Sequence, residues 1–163
     1  MDKKKTSKIA ALVISALVFC LALQNVQDWH NVGIYQGCGF VCRLSYPFYH
    51  ANLLHASLNA WCLLSVIFIY DTSLWRLAFA FASAVSVPSC CMSSIPTVGL
   101  SGVVFALFGS ISFEVQRKAY YQLWMLAYLA IGFFFPNTNA WVHLYCYMAG
   151  LGVALLNKPV KIG

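Results

Sequence analysis

The apolar run that starts at Gly99 ends at Glu114, about 15 residues later. Pro96 and Thr97 stand just before it, which predicts a helix beginning near Gly99. At about 1.5 Å per residue that helix is about 22 Å long, short of the roughly 30 Å hydrocarbon core of a bilayer. A helix that ends at one membrane face and cannot reach the other must begin inside the bilayer. Irregular backbone at that depth is tolerated only inside protein or beside a water-filled cavity. Ser101, flanked by Gly99-Leu100 and Gly102, then lies at a helix N-terminus in a wet pocket, a setting suited to a nucleophile. Serine and glycine also let membrane helices pack closely, so this stretch alone leaves both readings open.

The membrane setting comes from composition. With 61% hydrophobic and 9% charged residues in 163, the chain is excluded from the ordinary soluble domains. The expected organisation is a basic tail over residues 1–7, a membrane domain over 8–157 and a second basic tail over 158–163. Six apolar segments are predicted, at about 8–23, 49–70, 74–87, 99–113, 120–135 and 140–156. The first has a basic start and an apolar run from Ile9 to Leu23, which also fits a signal peptide. With no small-x-small cleavage site before Gln24, a retained span is the preferred reading. A long loop over 24–48 and an irregular stretch over 89–98 separate the segments.

The net charge of +6 does not indicate nucleic acid, because the basic residues sit at segment ends. With six spans, one side holds Lys3, Lys4, Lys5, Lys8, Arg76, Arg117, Lys118, Lys158 and Lys161, and the other holds only Arg43. The positive-inside rule then places both termini in the cytoplasm. Ser101 opens towards the outer face. Of seven cysteines, Cys20, Cys62 and Cys146 fall within spans as packing residues. Cys38, Cys42, Cys90 and Cys91 face the outer side, where a disulfide between the two loops is one option.

Ionisable residues inside a membrane are costly and mark function by default. His50, His55 and His143 share the outer half with Ser101, and Asn59 follows His55 by one helical turn. Asp2, Asp28, Asp71 and Glu114 all lie at ends or in loops. The chain can therefore build a Ser–His dyad more readily than a Ser–His–Asp triad. A histidine-only metal site is disfavoured, since His50 and His55 would point in different directions on one helix. His143 is the candidate base for Ser101. His55, Asn59 and backbone N–H groups at the helix start, Ser101 among them, are candidate oxyanion donors. No cofactor is expected.

The run Gly99-Leu100-Ser101-Gly102, with Ala106, Leu107 and Gly109 after it, resembles the GxSGxxxxLxG signature of rhomboid intramembrane serine proteases. His50, His55 and Asn59 resemble that family's HxxxxHxxxN motif, and His143 its sixth-span catalytic histidine. The resemblance implies an all-α, polytopic, six-transmembrane-helix bundle of the compact bacterial type, with a short fourth helix starting inside the bilayer. It implies Ser101 and His143 as dyad, His55 and Asn59 as oxyanion-hole side chains, and a bacterial inner-membrane location. The loop over 24–48 would be the family's membrane-embedded loop, with Arg43 near its usual WR pair. The chain departs from the pattern in three places. Cys42 stands before Arg43, and Val142 and Cys146 replace the Ala and first Gly of AHxxGxxxG, while Gly150 keeps the second.

The function so implied is an intramembrane endopeptidase that cuts transmembrane protein substrates near their outer boundary, with the lipid bilayer as its setting. A form that processes C-terminal anchor segments belongs to the same reading. The alternatives are an inactive rhomboid-like protein that binds membrane helices, and a structural or channel-like protein with polar glue residues. Small-residue stripes, Gly102–Ala106 on the fourth segment and Cys146–Gly150–Ala154 on the sixth, are expected to bring these two helices together.

Overall fold

The computed structural model of the chain describes residues 3–135 and 138–156. Among these the fold is all-α, without a strand. Its helices are α1 (Lys3–Ala22), α2 (Phe40–Ser45), α3 (Leu53–Ile69), α4 (Leu74–Val85), α5 (Ser101–Ser110), α6 (Lys118–Gly132) and α7 (Ala140–Leu156). Each of the six expected apolar segments yields a helix, α1 and α3 to α7. Among the described residues, one stretch is long and apolar enough to cross a bilayer, Lys5–Ala22 in α1. Helices α3, α4, α5 and α7 are apolar but shorter. Pro136, Asn137 and the second basic tail lie outside the described residues.

The boundaries differ from expectation for local reasons. Helix α1 extends back to Lys3 because lysine is a good helix former and nothing before Lys8 breaks the helix. Helix α3 starts at Leu53 rather than Tyr49, because the Asn52 side chain accepts the N–H of His55 at 2.8 Å and caps the helix there. Helix α5 starts at Ser101 rather than Gly99, because Gly99 has φ +130°, which a helix cannot contain. At 10 residues it is shorter still than the sequence suggested. The loop over 24–48 contains a helix of its own, α2.

Helix α5 is the centre of the bundle. Its residues Gly102, Val103, Val104, Ala106, Leu107, Gly109 and Ser110 are buried. Helices α3, α4 and α7 surround it. The contact with α7 is made without side chains between the backbones. A Cβ on Gly150 would run into the carbonyl oxygen of Ala106, and one on Gly109 would meet the Tyr147 carbonyl and stand 2.7 Å from the Leu151 nitrogen. Gly102 is enclosed differently. A Cβ there would lie 2.9 Å from the Tyr46 hydroxyl and 3.4 Å from Cys146 Sγ. The stripe on α7 thus packs on α5 with Cys146 in it, as its small size allows.

Helix α6 stands apart from this core. It rests on α7 through Met125, Leu129 and Tyr147. Two hydrogen bonds near its start fasten it. Tyr121 O–H donates to the Phe108 carbonyl at 2.8 Å, and Tyr147 O–H donates to Gln122 Oε1 at 2.6 Å.

Charged groups collect at one end of the bundle, opposite Ser101. Lys8 pairs with Asp71 at 2.7 Å, so the start of α1 meets the end of α3. Arg76, in the first turn of α4, pairs with Glu114 just beyond α5. The sides between the ends are apolar and open, with Trp61 73% and Ile69 72% exposed.

Because Gly150 faces the backbone of α5, Gly150→Leu is expected to force α5 and α7 apart. Overpacking of this kind costs about 1–3 kcal/mol or more, so thermal unfolding in detergent should shift clearly downward. Ala127→Leu, on α6 outside the seam, should change it little. An unshifted midpoint for Gly150→Leu would show that the seam is not that close.

Candidate active site

Three elements converge at the start of α5. The first is the segment before it. Thr97 exchanges two backbone hydrogen bonds with Ile34 of the long loop, at 2.8 and 2.9 Å. Gly99 N–H donates to the Tyr46 carbonyl at 2.9 Å, and Leu100 N–H donates to His50 Nε2 at 3.1 Å. Since Nε2 accepts, the His50 proton sits on Nδ1, where it donates to the Phe48 carbonyl at 3.2 Å. His50 is therefore a brace between two loops. The sequence placed it on a helix with His55; it lies instead ahead of the Asn52 cap, which turns it back towards Leu100.

The second element is α3. His55, in its first turn, faces Gly99 so closely that a Cβ on Gly99 would stand 2.8 Å from the imidazole Cε1. Gly99 is thus held to glycine both by its positive φ and by His55. One turn on, Asn59 is buried and donates one amide hydrogen to the His55 carbonyl at 3.0 Å.

The third is α7. Asn139 caps it by accepting the N–H of Val142 at 3.3 Å. His143 follows in the first turn, and its Nε2 lies 2.8 Å from Ser101 Oγ. With the imidazole proton on Nδ1, the serine hydroxyl donates to Nε2. The imidazole is stacked on Phe105, with ring centroids 4.4 Å apart and planes at 18°. Phe105 is one turn after Ser101 on α5, so nucleophile and ring support share a face.

The first intrahelical bond of α5 runs from Val104 N–H to the Leu100 carbonyl at 3.0 Å. The N–H groups of Ser101, Gly102 and Val103 precede it and lie where a helix dipole is positive. Ser101, His55, Asn59 and His143 together line a cleft of about 460 Å³. Its other wall is the C-terminal half of α6, including Tyr128 and Ile131.

The carboxylates are engaged elsewhere. Asp28 accepts from the N–H of His30 at 2.9 Å, while Asp71 and Glu114 are in the ion pairs described above. Asp2 lies outside the described residues. Among the described residues no three His, Cys, Asp or Glu side chains cluster as metal ligands. The described cysteines are all free thiols, so no disulfide joins the loops.

Arg43 is not among the residues that line this cleft and does a different task. Its guanidinium donates to the Val87 carbonyl at 2.7 Å and to the Val85 carbonyl at 3.4 Å, at the C-terminal end of α4. The loop is anchored this way with Cys42 at the preceding position. Cys42 itself donates from Sγ to the His30 carbonyl at 3.4 Å.

Sequence reasoning missed Tyr46, Phe105 and Asn139. Tyr46 is buried, offers its carbonyl to Gly99, donates its hydroxyl to the Ala84 carbonyl at 3.0 Å and fills the space beside Gly102. Asn139 carried a readable signal, a cap residue just before an apolar run. Phe105 and Tyr46 carried none, in a chain with 16% aromatic residues.

The sequence matches no protein-family model, and comparison with curated proteins finds no match.

Two outcomes are expected from this geometry. Phe105→Ala removes the surface that orients the His143 ring, and small misplacements of a catalytic group cost on the order of a hundredfold. Labelling of Ser101 by a fluorophosphonate probe should slow by about tenfold or more, while Phe105→Tyr, which keeps the stacked ring, should restore it. Arg43→Ala leaves the carbonyls at the end of α4 without their donor, a loss of about 1–3 kcal/mol. Thermal unfolding should report it, with Arg43→Lys intermediate.

Proposed function

We propose that the chain is an intramembrane serine endopeptidase of the rhomboid kind. It acts in a bacterial inner membrane on transmembrane protein substrates. The observation that carries this reading is the 2.8 Å contact of Ser101 with His143 at a helix start inside the bundle, at the wall of an open cleft. Such a pair has no use in a structural or helix-binding protein, whereas a hydrolase needs it.

In this reading α1 and α3 to α7 are the six spans. The apolar sides of these helices support it, since exposed apolar surface on this scale is foreign to soluble monomers. Helices as short as α4 and α5 are accommodated by the bundle's own interior and by local thinning of the bilayer. The basic residues of the charged end then face the cytoplasm, both termini lie there, and Ser101 opens to the outer side.

The chemistry uses only residues of the chain. A substrate helix unwinds into the cleft past Leu58 and Tyr128 and presents a peptide carbonyl to Ser101. His143 Nε2 takes the hydroxyl proton as Oγ bonds to the carbonyl carbon. The negative charge that develops on the carbonyl oxygen meets the Ser101 N–H, the second amide hydrogen of Asn59 and the His55 imidazole. His143 then gives its proton to the departing amine as the C–N bond breaks. Water, deprotonated by His143 in its turn, hydrolyses the acyl-enzyme and releases the second product.

Ser101→Ala should abolish both cleavage of a transmembrane substrate in proteoliposomes and fluorophosphonate labelling, and leave the protein folded. Asn59→Ala should lower turnover by about a hundredfold or more, with substrate binding nearly unchanged. Exchanging Asp28, Asp71 or Glu114 for its amide should leave the rate within a few fold, as a dyad requires. Full-rate cleavage by Ser101→Ala would refute the reading.

A further inference from the structure

A second large cavity lies at the charged end, away from Ser101. It occupies about 540 Å³ between the end of α3 and the start of α6, and is lined by Ile69, Tyr70, Val115, Arg117, Tyr120 and Trp124 among others. The volume is in the range of sites that take small molecules. Its lining is mixed. Val115 is buried and apolar, Ile69 and Trp124 present exposed apolar surface, and Arg117 and Tyr120 stand at the start of α6.

The electrostatics of this end favour an anion. Glu114 also lines the cavity, but its carboxylate is paired with Arg76, and Asp71 is paired with Lys8. Among the described residues neither Arg117 nor Lys118 is in an ion pair. Four cations, Lys8, Arg76, Arg117 and Lys118, thus stand against two anions, Asp71 and Glu114. A ligand that fits this lining has an anionic head for Arg117 and an apolar body for Ile69 and the Trp124 ring. Tryptophan and tyrosine prefer this boundary between headgroups and hydrocarbon.

We infer that the cleft formed by Tyr70, Arg117, Tyr120 and Trp124 is a binding site for an anionic phospholipid of the leaflet that meets the charged end. Its phosphate sits at Arg117, with Lys118 adding positive charge beside the cavity, and its upper acyl chain lies along Ile69 and Trp124. The inference rests on the membrane reading above but not on the protease chemistry. Such a lipid sits near the start of α6, which is hydrogen-bonded to the bundle through Tyr121 and Gln122. Its occupancy therefore bears on how firmly the wall of the Ser101 cleft is held.

Trp124 makes the site observable. The full chain is reconstituted in phosphatidylcholine vesicles containing phosphatidylglycerol, with bromines on the acyl chains of one lipid or the other at matched mole fraction. Brominated phosphatidylglycerol should quench tryptophan fluorescence in excess of brominated phosphatidylcholine. Trp124→Phe should remove the excess. Each cation near an anionic surface contributes about fivefold to binding, so Arg117→Gln with Lys118→Gln should lower the preference by about tenfold or more. An unchanged thermal unfolding midpoint in detergent serves as the check that this variant is folded. Equal quenching by the two lipids, or an excess that survives the double variant, would overturn the lipid site and leave the membrane reading intact. Quenching by neither lipid would overturn the membrane reading and this site together. Loss of the excess on adding inorganic phosphate would mean that the site takes a free anion, and would overturn the lipid assignment.

Discussion

The approach of α5 to α7 is the constraint from which the rest follows. Gly109 and Gly150 leave no side chain between the two backbones, and Ala106 offers its carbonyl directly to the facing helix. At that distance, residues about two turns before Gly109 and Gly150, Ser101 and His143, fall within hydrogen-bond reach. Close van der Waals contact over small residues supplies the adhesion between the two helices. The Ser101–His143 geometry and the packing of the core are thus one arrangement. A side chain inserted in the seam would alter both.

A helix that starts inside a bundle needs partners for its first groups, and the chain supplies them from loops. His50 accepts the Leu100 N–H and donates to Phe48, so a single neutral imidazole satisfies both segments. Tyr46 meets Gly99 with its carbonyl and Ala84 with its hydroxyl. Arg43 takes the carbonyls at the end of α4. His50 and Tyr46 hold the segment just ahead of Ser101, while the N–H groups of Ser101, Gly102 and Val103 precede the first intrahelical bond of α5. That division, braced behind and open in front, is what an oxyanion site needs, since its donors must be fixed before charge develops.

Much of this was readable from residue order. The Gly-Leu-Ser-Gly run, the His55–Asn59 spacing and the separation of His143 from Gly150 are periodic or local features, and local features survive into the fold. Helix limits set by a single cap or glycine were less visible. Asn52 moves His50 off α3 altogether, and the positive φ of Gly99 delays α5 by two residues. Phe105 and Tyr46 were not legible at all. Their partners, His143 and Gly99, lie far away in sequence, and nothing in an aromatic-rich apolar run distinguishes the ring that will meet a histidine. Helix α2 escaped notice because its six residues are too few to show a period. Arg43 was visible as the lone outer cation, but its role as a cap depends on where α4 ends.

The partners of the long first loop have a consequence for the order of assembly. Tyr46 bonds to Ala84, Arg43 to Val87 and Ile34 to Thr97, each pair about 40 residues or more apart in the chain. As the chain is synthesised the loop emerges early, yet nothing that it binds exists until α4 and the stretch before Ser101 have followed. Closing such long intervals is entropically costly, and non-local contacts form late for that reason. The Ser101–His143 pair spans a further 42 residues and waits for α7. The loop contacts can therefore fix the start of α5 before α7 brings His143 to Ser101.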